Sequence, residues 1–200
     1  MKTIGLTGGI GAGKGEVASL LRSLGAALVE ADQEGHRIYR RGTEGWRRVV
    51  ALFGRQVLGQ DEEVDRGQLG AVAFCDPGAL IRLNAALHPL ILETVGERLQ
   101  ELEQAGQAVT VVEAPLLLEA GWQSLVDEVW VVWAPSEVVI PRLQRHRGLT
   151  AAEARQRIDA QTLNEWKRDR ADVVIENSKD VETLRRTVED LWRRRIQGKD

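Results

Sequence analysis

The segment Gly8-Gly9-Ile10-Gly11-Ala12-Gly13-Lys14 lies between two runs of different periodicity. Ile4, Gly5, Leu6 and Thr7 read as a short buried strand, and Val17, Leu20, Leu21 and Leu24 return at helical spacing. A glycine turn in that place turns backbone N–H groups inward, and the helix N-terminus behind it adds a partial positive charge. Together they form a cradle for a polyphosphate, with Lys14 long enough to reach the outer phosphates. The ligand class is therefore ATP or GTP. A ligand-free glycine turn joining strand to helix is the other reading of the same letters.

One position of the pattern is altered. The full pattern, G-x-x-x-x-G-K-[ST], ends on a hydroxyl that ligates Mg²⁺. Here Gly15 follows Lys14 and offers no side chain. Glu16 reads as a solvent-facing acid in the first helical turn, where the helix dipole favours it. The nucleotide-binding residues are thus expected to be Gly9, Gly11, Ala12, Gly13, Lys14, Gly15 and Glu16.

Further along the chain, strand and helix alternate. Strands are expected at Thr3–Thr7, Ala27–Glu30, Ala108–Val112, Glu128–Trp133 and Asp172–Ile175, and helices at Lys14–Ser23 and Val181–Arg195. Gly25 reads as the glycine that ends the first helix. Strands this apolar, separated by helices, predict an α/β fold with a five-stranded parallel sheet covered on both faces. Ligands of such sheets bind beyond the carboxyl ends of the strands. Two helical insertions interrupt a core of about 1–31, 107–140 and 171–200. Residues 32–106 are long enough to hold a substrate, and the charged stretch 141–170 reads as a small lid.

With 200 residues and 43% hydrophobic content, the chain suffices for one such domain. A net charge of −3 gives no reason to expect nucleic-acid binding. No run approaches the length of a membrane span, and the N-terminus does not read as a signal peptide. The single Cys75 excludes an internal disulfide, fits a reducing cytoplasm, and reads as a buried, inert thiol beside Phe74. A monomer or small homo-oligomer is expected.

Several polar residues fall at the strand ends. Asp32, two residues past the second strand, is placed to take a proton from an attacking hydroxyl or to bind Mg²⁺ through water. An N-cap for the following helix is its structural alternative. Glu30 reads either as an assistant or as a solvent-facing strand end. Glu113 closes the third strand, where P-loop proteins place an acid that organises the metal; Pro115 shapes the strand exit. Arg142 and Arg145 share a helix face as i and i+3 neighbours, with Arg147 and His146 nearby, and an arginine fork suits phosphate oxygens. Arg193, Arg194 and Arg195 complement the dipole of the last helix. His88, before Pro89, reads either as a structural residue or as a substrate contact. Trp130 and Trp133 read as packing residues.

Taken in order, these residues resemble the dephospho-coenzyme A kinase family. The opening Ile4–Lys14 is similar to that family's N-terminus. Glu30-Ala31-Asp32, Gly35–Tyr39, Phe53-Gly54, Val64-Asp65-Arg66, Leu69-Gly70, Phe74 and Leu87-His88-Pro89 follow in register. Ala114–Glu119, Arg142-Leu143 with Arg145, Arg157-Ile158, Gln161, Lys167, Ala171-Asp172 and Asn177 extend the likeness to nearly the whole chain. The resemblance implies a P-loop NTPase core, a helical coenzyme A domain and a lid. It implies ATP and Mg²⁺ as cofactors and dephospho-coenzyme A as the small-molecule substrate. The implied reaction is phosphorylation of the ribose 3′-hydroxyl, the last step of coenzyme A biosynthesis, in the cytoplasm. On this reading Asp32 is the base, Lys14 and Arg142 act on the transferring phosphoryl group, and Asp32, Arg66, His88, Glu113 and Pro115 bind substrate. Asp32 and Glu113 are the candidate metal carboxylates. The sequence departs from the family at Gly15, at Glu30 and Glu113 where Asp is usual, and at Ser178 where Gly is usual. The alternatives are another small-molecule P-loop kinase or a catalytically impaired relative that only binds nucleotide or coenzyme A.

Overall fold

Strands with no polar face need cover on both sides, and the computed structural model, which describes residues 1–159 and 164–198, supplies it. Five strands, β1 (Lys2–Gly8), β2 (Ala27–Glu30), β3 (Val109–Glu113), β4 (Glu128–Trp133) and β5 (Val173–Glu176), form one sheet in the order β2-β3-β1-β4-β5. β1 runs parallel to β3, with Ile4 opposite Val111, and to β4, with Leu6 opposite Trp130. β4 runs parallel to β5, with Val132 opposite Ile175. β1 is longer than expected by one residue at each end, and β3 and β5 are each displaced by one residue toward the C-terminus. Leu6 pairs with Glu113, which brings that acid into β3. Asp172 stays outside β5 because its carboxylate accepts the Val129 N–H at 2.7 Å.

Side chains along β1 alternate between the two faces. Ile4 and Leu6 enter a core with Val17 and Leu21 of α1 (Lys14–Ser23) and with Leu184, Val188 and Trp192 of α9 (Val181–Arg195). The α9 residues recur every four positions, which keeps one stripe inward; Asp180 caps that helix by accepting the Thr183 N–H at 2.8 Å. The opposite face of β1 approaches the segment after β3. A Cβ on Gly5 would lie 2.6 Å from Leu117 Cδ1, so a side chain at position 5 would force Leu117 to move.

The chain divides into two compact units, Met1–Val29 with Leu102–Asp200, and Glu30–Glu101. The first carries the sheet, α1, α9 and the helices α6 (Ser136–Arg147), α7 (Ala151–Asp159) and α8 (Asn164–Arg168). α6 is continuous across Pro141, where the charged stretch was expected to begin. Gln161, one of the residues carrying the family likeness, lies outside the described residues. The second unit contains α2 (Ala31–Ile38), α3 (Glu44–Phe53), α4 (Arg66–Cys75) and most of α5 (Pro77–Gln104). It has its own core, which includes Val49, Phe53, Val57, Leu69 and Leu87. A single antiparallel bridge, Leu58 to Val64, is its β-structure among the described residues.

Two expectations are corrected here. Asp32 is not an N-cap: α2 begins at Ala31 after Glu30, which places Asp32 inside the first turn. Cys75 is exposed, not buried. Leu69 and Ala73 set the buried face of α4, and Cys75, two residues past Ala73, is turned by about 200° away from it.

Candidate active site

The glycine loop is built by backbone conformations that glycine adopts freely. Gly11 and Gly13 have φ of 71° and 98°, in the left-handed region that side chains penalise. Space forbids a side chain as well. A Cβ on Gly11 would lie 2.9 Å from Val139 Cγ1 on α6, and one on Gly13 would lie 2.2 Å from Asn177 Nδ2. Gly13 is the N-cap of α1 and supplies no side-chain cap. The first-turn N–H groups therefore keep their affinity for an anion. Gly9 and Ala12 close the loop through an Ala12 N–H to Gly9 carbonyl bond of 3.2 Å, and Ile10 packs against the cluster of Val139, Leu143 and Ala154. Glu16 is exposed, as its first-turn position requires. Gly15 is also exposed, and a Cβ added there meets nothing within 4 Å.

Lys14, the first residue of α1, forms an ion pair with Glu113 at the end of β3. Both side chains are largely shielded, so the pair is screened less than a surface one. The strand after β3 then turns at Pro115, whose carbonyl accepts two bonds, from Thr7 Oγ1 at 3.1 Å and from Lys167 Nζ at 2.6 Å. Lys167 is 5% exposed and also pairs with Glu119 at 2.9 Å. Its burial fixes α8 to the wall after β3 inside the same unit.

Arg142 lies on α6. Its Nη2 donates to Asn177 Oδ1 at 3.3 Å, and its Nη1 is buried without a hydrogen-bond partner. A buried guanidinium nitrogen left unpaired costs free energy, and an incoming anion removes that cost. Arg145 and Arg147, by contrast, are exposed. The sequence placed Arg142 and Arg145 on one face; packing distinguishes them, because only Arg142 is drawn in beside Asn177.

In the 30–101 unit, Asp32 and Arg66 act on the same two rings. His36 and Tyr39 stack edge to face, with ring centroids 5.8 Å apart. Burial lowers the His36 pKa below 6.5, Arg66 lowers it further, and Asp32 opposes the shift. Burial raises the Tyr39 pKa above 10.0; Arg66, charged and hydrogen-bonded to the phenol, pulls it back, and Asp32 pushes it up. Asp32 and Arg66 are themselves exposed. His88 is half-buried on α5, and burial alone lowers its pKa; neither Asp32 nor Arg66 enters that shift.

The sheet unit thus gathers Gly9–Glu16, Glu113, Pro115 and Arg142, while in the 30–101 unit Asp32 and Arg66 act on the same rings. Asn177, Lys167, His36 and Tyr39 were read only as markers of likeness, with no role. Asn177 had a usable signal, since it directly follows the carboxyl end of a strand. Lys167 had none, because nothing local tells a buried lysine from an exposed one.

Among the described residues no three His, Cys, Asp or Glu side chains converge to cage a metal. Mg²⁺ is usually bound by one or two carboxylates with water and substrate phosphates, and Glu113, beside Lys14 at the end of β3, is a donor of that kind. The open space at Gly15 has room for a water where the pattern usually has a hydroxyl. No described helix is long and apolar enough to cross a membrane.

The chain is similar to known proteins along nearly its whole length. A sequence model of the dephospho-CoA kinase family matches residues 2–183. A dephospho-CoA kinase of Geobacter sulfurreducens is 43% identical over 196 residues, 98% of this chain and 100% of its own length. Among solved structures, one from Thermus thermophilus superposes with a TM-score of 0.80 at 34% identity, covering 96% of this chain and 97% of that one. The dephospho-CoA kinase from Campylobacter jejuni gives a TM-score of 0.75 at 27% identity, covering 99% of each chain.

Proposed function

The chain belongs to the dephospho-CoA kinase family, and we propose the following account of how its residues perform the family's reaction. The enzyme transfers the γ-phosphoryl group of ATP to the ribose 3′-hydroxyl of dephospho-coenzyme A and yields coenzyme A and ADP. The observation that carries this reading is the match across residues 2–183, which takes in the glycine loop, Asp32, Glu113 and Arg142 together.

The 3′-oxygen attacks the γ-phosphorus, and the bond to the β–γ bridging oxygen breaks as its electron pair leaves with ADP. Asp32 accepts the proton of the attacking hydroxyl. The loop amides and Lys14 hold the phosphates, and the unpaired Nη1 of Arg142 meets the charge that spreads over the transferring group. Lys14 exchanges its Glu113 partner for phosphate oxygens, and Glu113 is left as a free carboxylate. Arg66, exposed and anchored by Tyr39, is a cation for the acceptor's phosphates, and His88 in the same unit is a further acceptor contact; Pro115 is an acceptor contact of the sheet unit. Mg²⁺ would be held by the nucleotide with Asp32 and Glu113 through water; neutralisation of β- and γ-phosphate charge is what it supplies when bound. Residues 141–170 act as a lid that excludes water from the transfer. The single exposed Cys75 accords with a reducing cytoplasm.

The test is ADP release measured in a coupled assay with Mg-ATP and a panel of hydroxyl acceptors. Release that depends on dephospho-coenzyme A, with 3′-phosphorylated product, is expected. ATP binding in calorimetry without ADP formation on that acceptor would overturn the assignment.

A further inference from the structure

Asn177 follows β5 and is 6% exposed. Its backbone N–H donates to the Trp133 carbonyl at 2.7 Å, so the sheet fixes where its side chain begins. Both ends of that side chain are engaged. Nδ2 donates to the Ala12 carbonyl in the glycine loop at 2.8 Å, and Oδ1 accepts from Arg142 Nη2 at 3.3 Å. The amide therefore joins the two elements of the sheet unit that face phosphate, the loop and the arginine of α6.

We infer that Asn177 is a positioning residue that couples the phosphate grip of the glycine loop to the setting of Arg142. The inference rests on the role given to Arg142 above. A guanidinium is a rigid planar fork, so pinning Nη2 also fixes the direction of the unpaired Nη1. The same amide holds the loop carbonyl at Ala12, one residue before the N-cap of α1. A shift of the loop is thus transmitted to the arginine through one short arm. Residue chemistry narrows the choice for that position. The arm must carry a donor for a carbonyl and an acceptor for a cation, which Asn does with two χ angles. Aspartate would lose the donor and set a negative charge beside a triphosphate. Glutamine would need one more methylene where Gly13 already leaves no room: a Cβ there would be 2.2 Å from Nδ2. Gly13 is glycine for two reasons, its φ of 98° and the space that Asn177 occupies.

The coupling is read from a double-mutant cycle of Asn177→Ala and Arg142→Ala, followed in two ways: ATP affinity by calorimetry without acceptor, and the separate kcat and ATP KM of the full reaction. Residues that share a hydrogen-bonded network are non-additive. Asn177→Ala is expected to raise both the ATP Kd and the ATP KM, and to lower kcat by about tenfold. Arg142→Ala should then cost about tenfold less in the Asn177→Ala background than in the parent. Additive losses would overturn the inference, as would an Asn177→Ala enzyme with parental KM and reduced active fraction, the mark of a merely structural residue. Ser178→Ala, whose neighbouring hydroxyl donates to Glu176 Oε1 at 2.7 Å, should leave the constants unchanged. If Asn177→Ala does not fold, Asn177→Ser goes through the same cycle. Failure of the parent enzyme to release ADP with dephospho-coenzyme A would bring down the assigned reaction but not the coupling, which the acceptor-free ATP cycle decides. A parent that binds no ATP would bring down both.

Discussion

The glycine loop is built from consecutive backbone, residues 8–15, whereas the group in the 30–101 unit is built from side chains of two helices, with Asp32 and His36 on α2, Tyr39 at its C-cap and Arg66 opening α4. The loop depends on φ values and on the absence of side chains. The α2–α4 group depends on charges held near one another by the core of Val49, Phe53 and Leu69. The loop tolerates no Cβ at Gly11 or Gly13, whereas the α2–α4 group loses its chemistry with a single side chain. If the residues act as proposed, the difference predicts that nucleotide grip and acceptor chemistry separate by mutation.

The sharpest attempt to break that separation is Asp32→Asn. It should lower kcat by about 100- to 10,000-fold, the range for loss of a general base, while ATP affinity in calorimetry stays within about twofold. A parallel loss of ATP affinity would show that Asp32 belongs with the nucleotide site. Arg66→Ala comes next. Removing a cation from a charged contact should raise the KM for dephospho-coenzyme A by about 10- to 100-fold and leave the ATP KM alone; steady-state kinetics with each substrate varied in turn decides it.

A smaller effect sharpens the comparison from the loop side. Gly15 is a glycine of the loop that meets nothing within 4 Å and has no left-handed φ, so Gly15→Ser introduces the missing hydroxyl without strain. Activity should rise a few-fold or the Mg²⁺ requirement should shift to lower concentration, about what one added ligand gives. An unchanged Mg²⁺ profile would sink this account of the altered position. The same substitution should stabilise the start of α1 by roughly 0.5 kcal/mol, the usual gain over glycine in a helix.

The smallest effect concerns pH. His36 and His88 have pKa values lowered from 6.5, His36 by burial and then by Arg66 against the pull of Asp32, His88 by burial. Below that value the unfolded chain takes up protons that the folded one resists, so stability is whole above pH 6.5 and declines as pH falls through it. The Tm should drop on acidification, and His88→Gln should flatten part of the drop. A Tm that rises on acidification, or a variant with the parental slope, would contradict the sign.

Much of the fold was legible because its signals are local. The strand Glu128–Trp133 and the helices Lys14–Ser23 and Val181–Arg195 were readable to the residue from runs, spacing and caps. The boundaries that moved, at Glu113 and Asp172, are set by pairing to β1 and by a carboxylate that caps β4 across the sheet. Cys75 misled because its apolar neighbours suggested burial, while the phase of α4 is fixed by Leu69 and Ala73 against a core assembled from distant residues.

The sequence by itself determined that a polyphosphate cradle lies between a first strand and a first helix, because glycine's access to left-handed φ and the helix dipole are properties of consecutive residues. Only the tertiary structure decided that Arg142 and not Arg145 carries a buried, unpaired nitrogen, that Lys14 rests on Glu113, and that Asn177 ties the loop to α6. Those outcomes depend on hydrogen bonds between residues 35 to 165 positions apart, and no local pattern encodes which of several equivalent side chains the packed sheet will bring within hydrogen-bonding distance of one another.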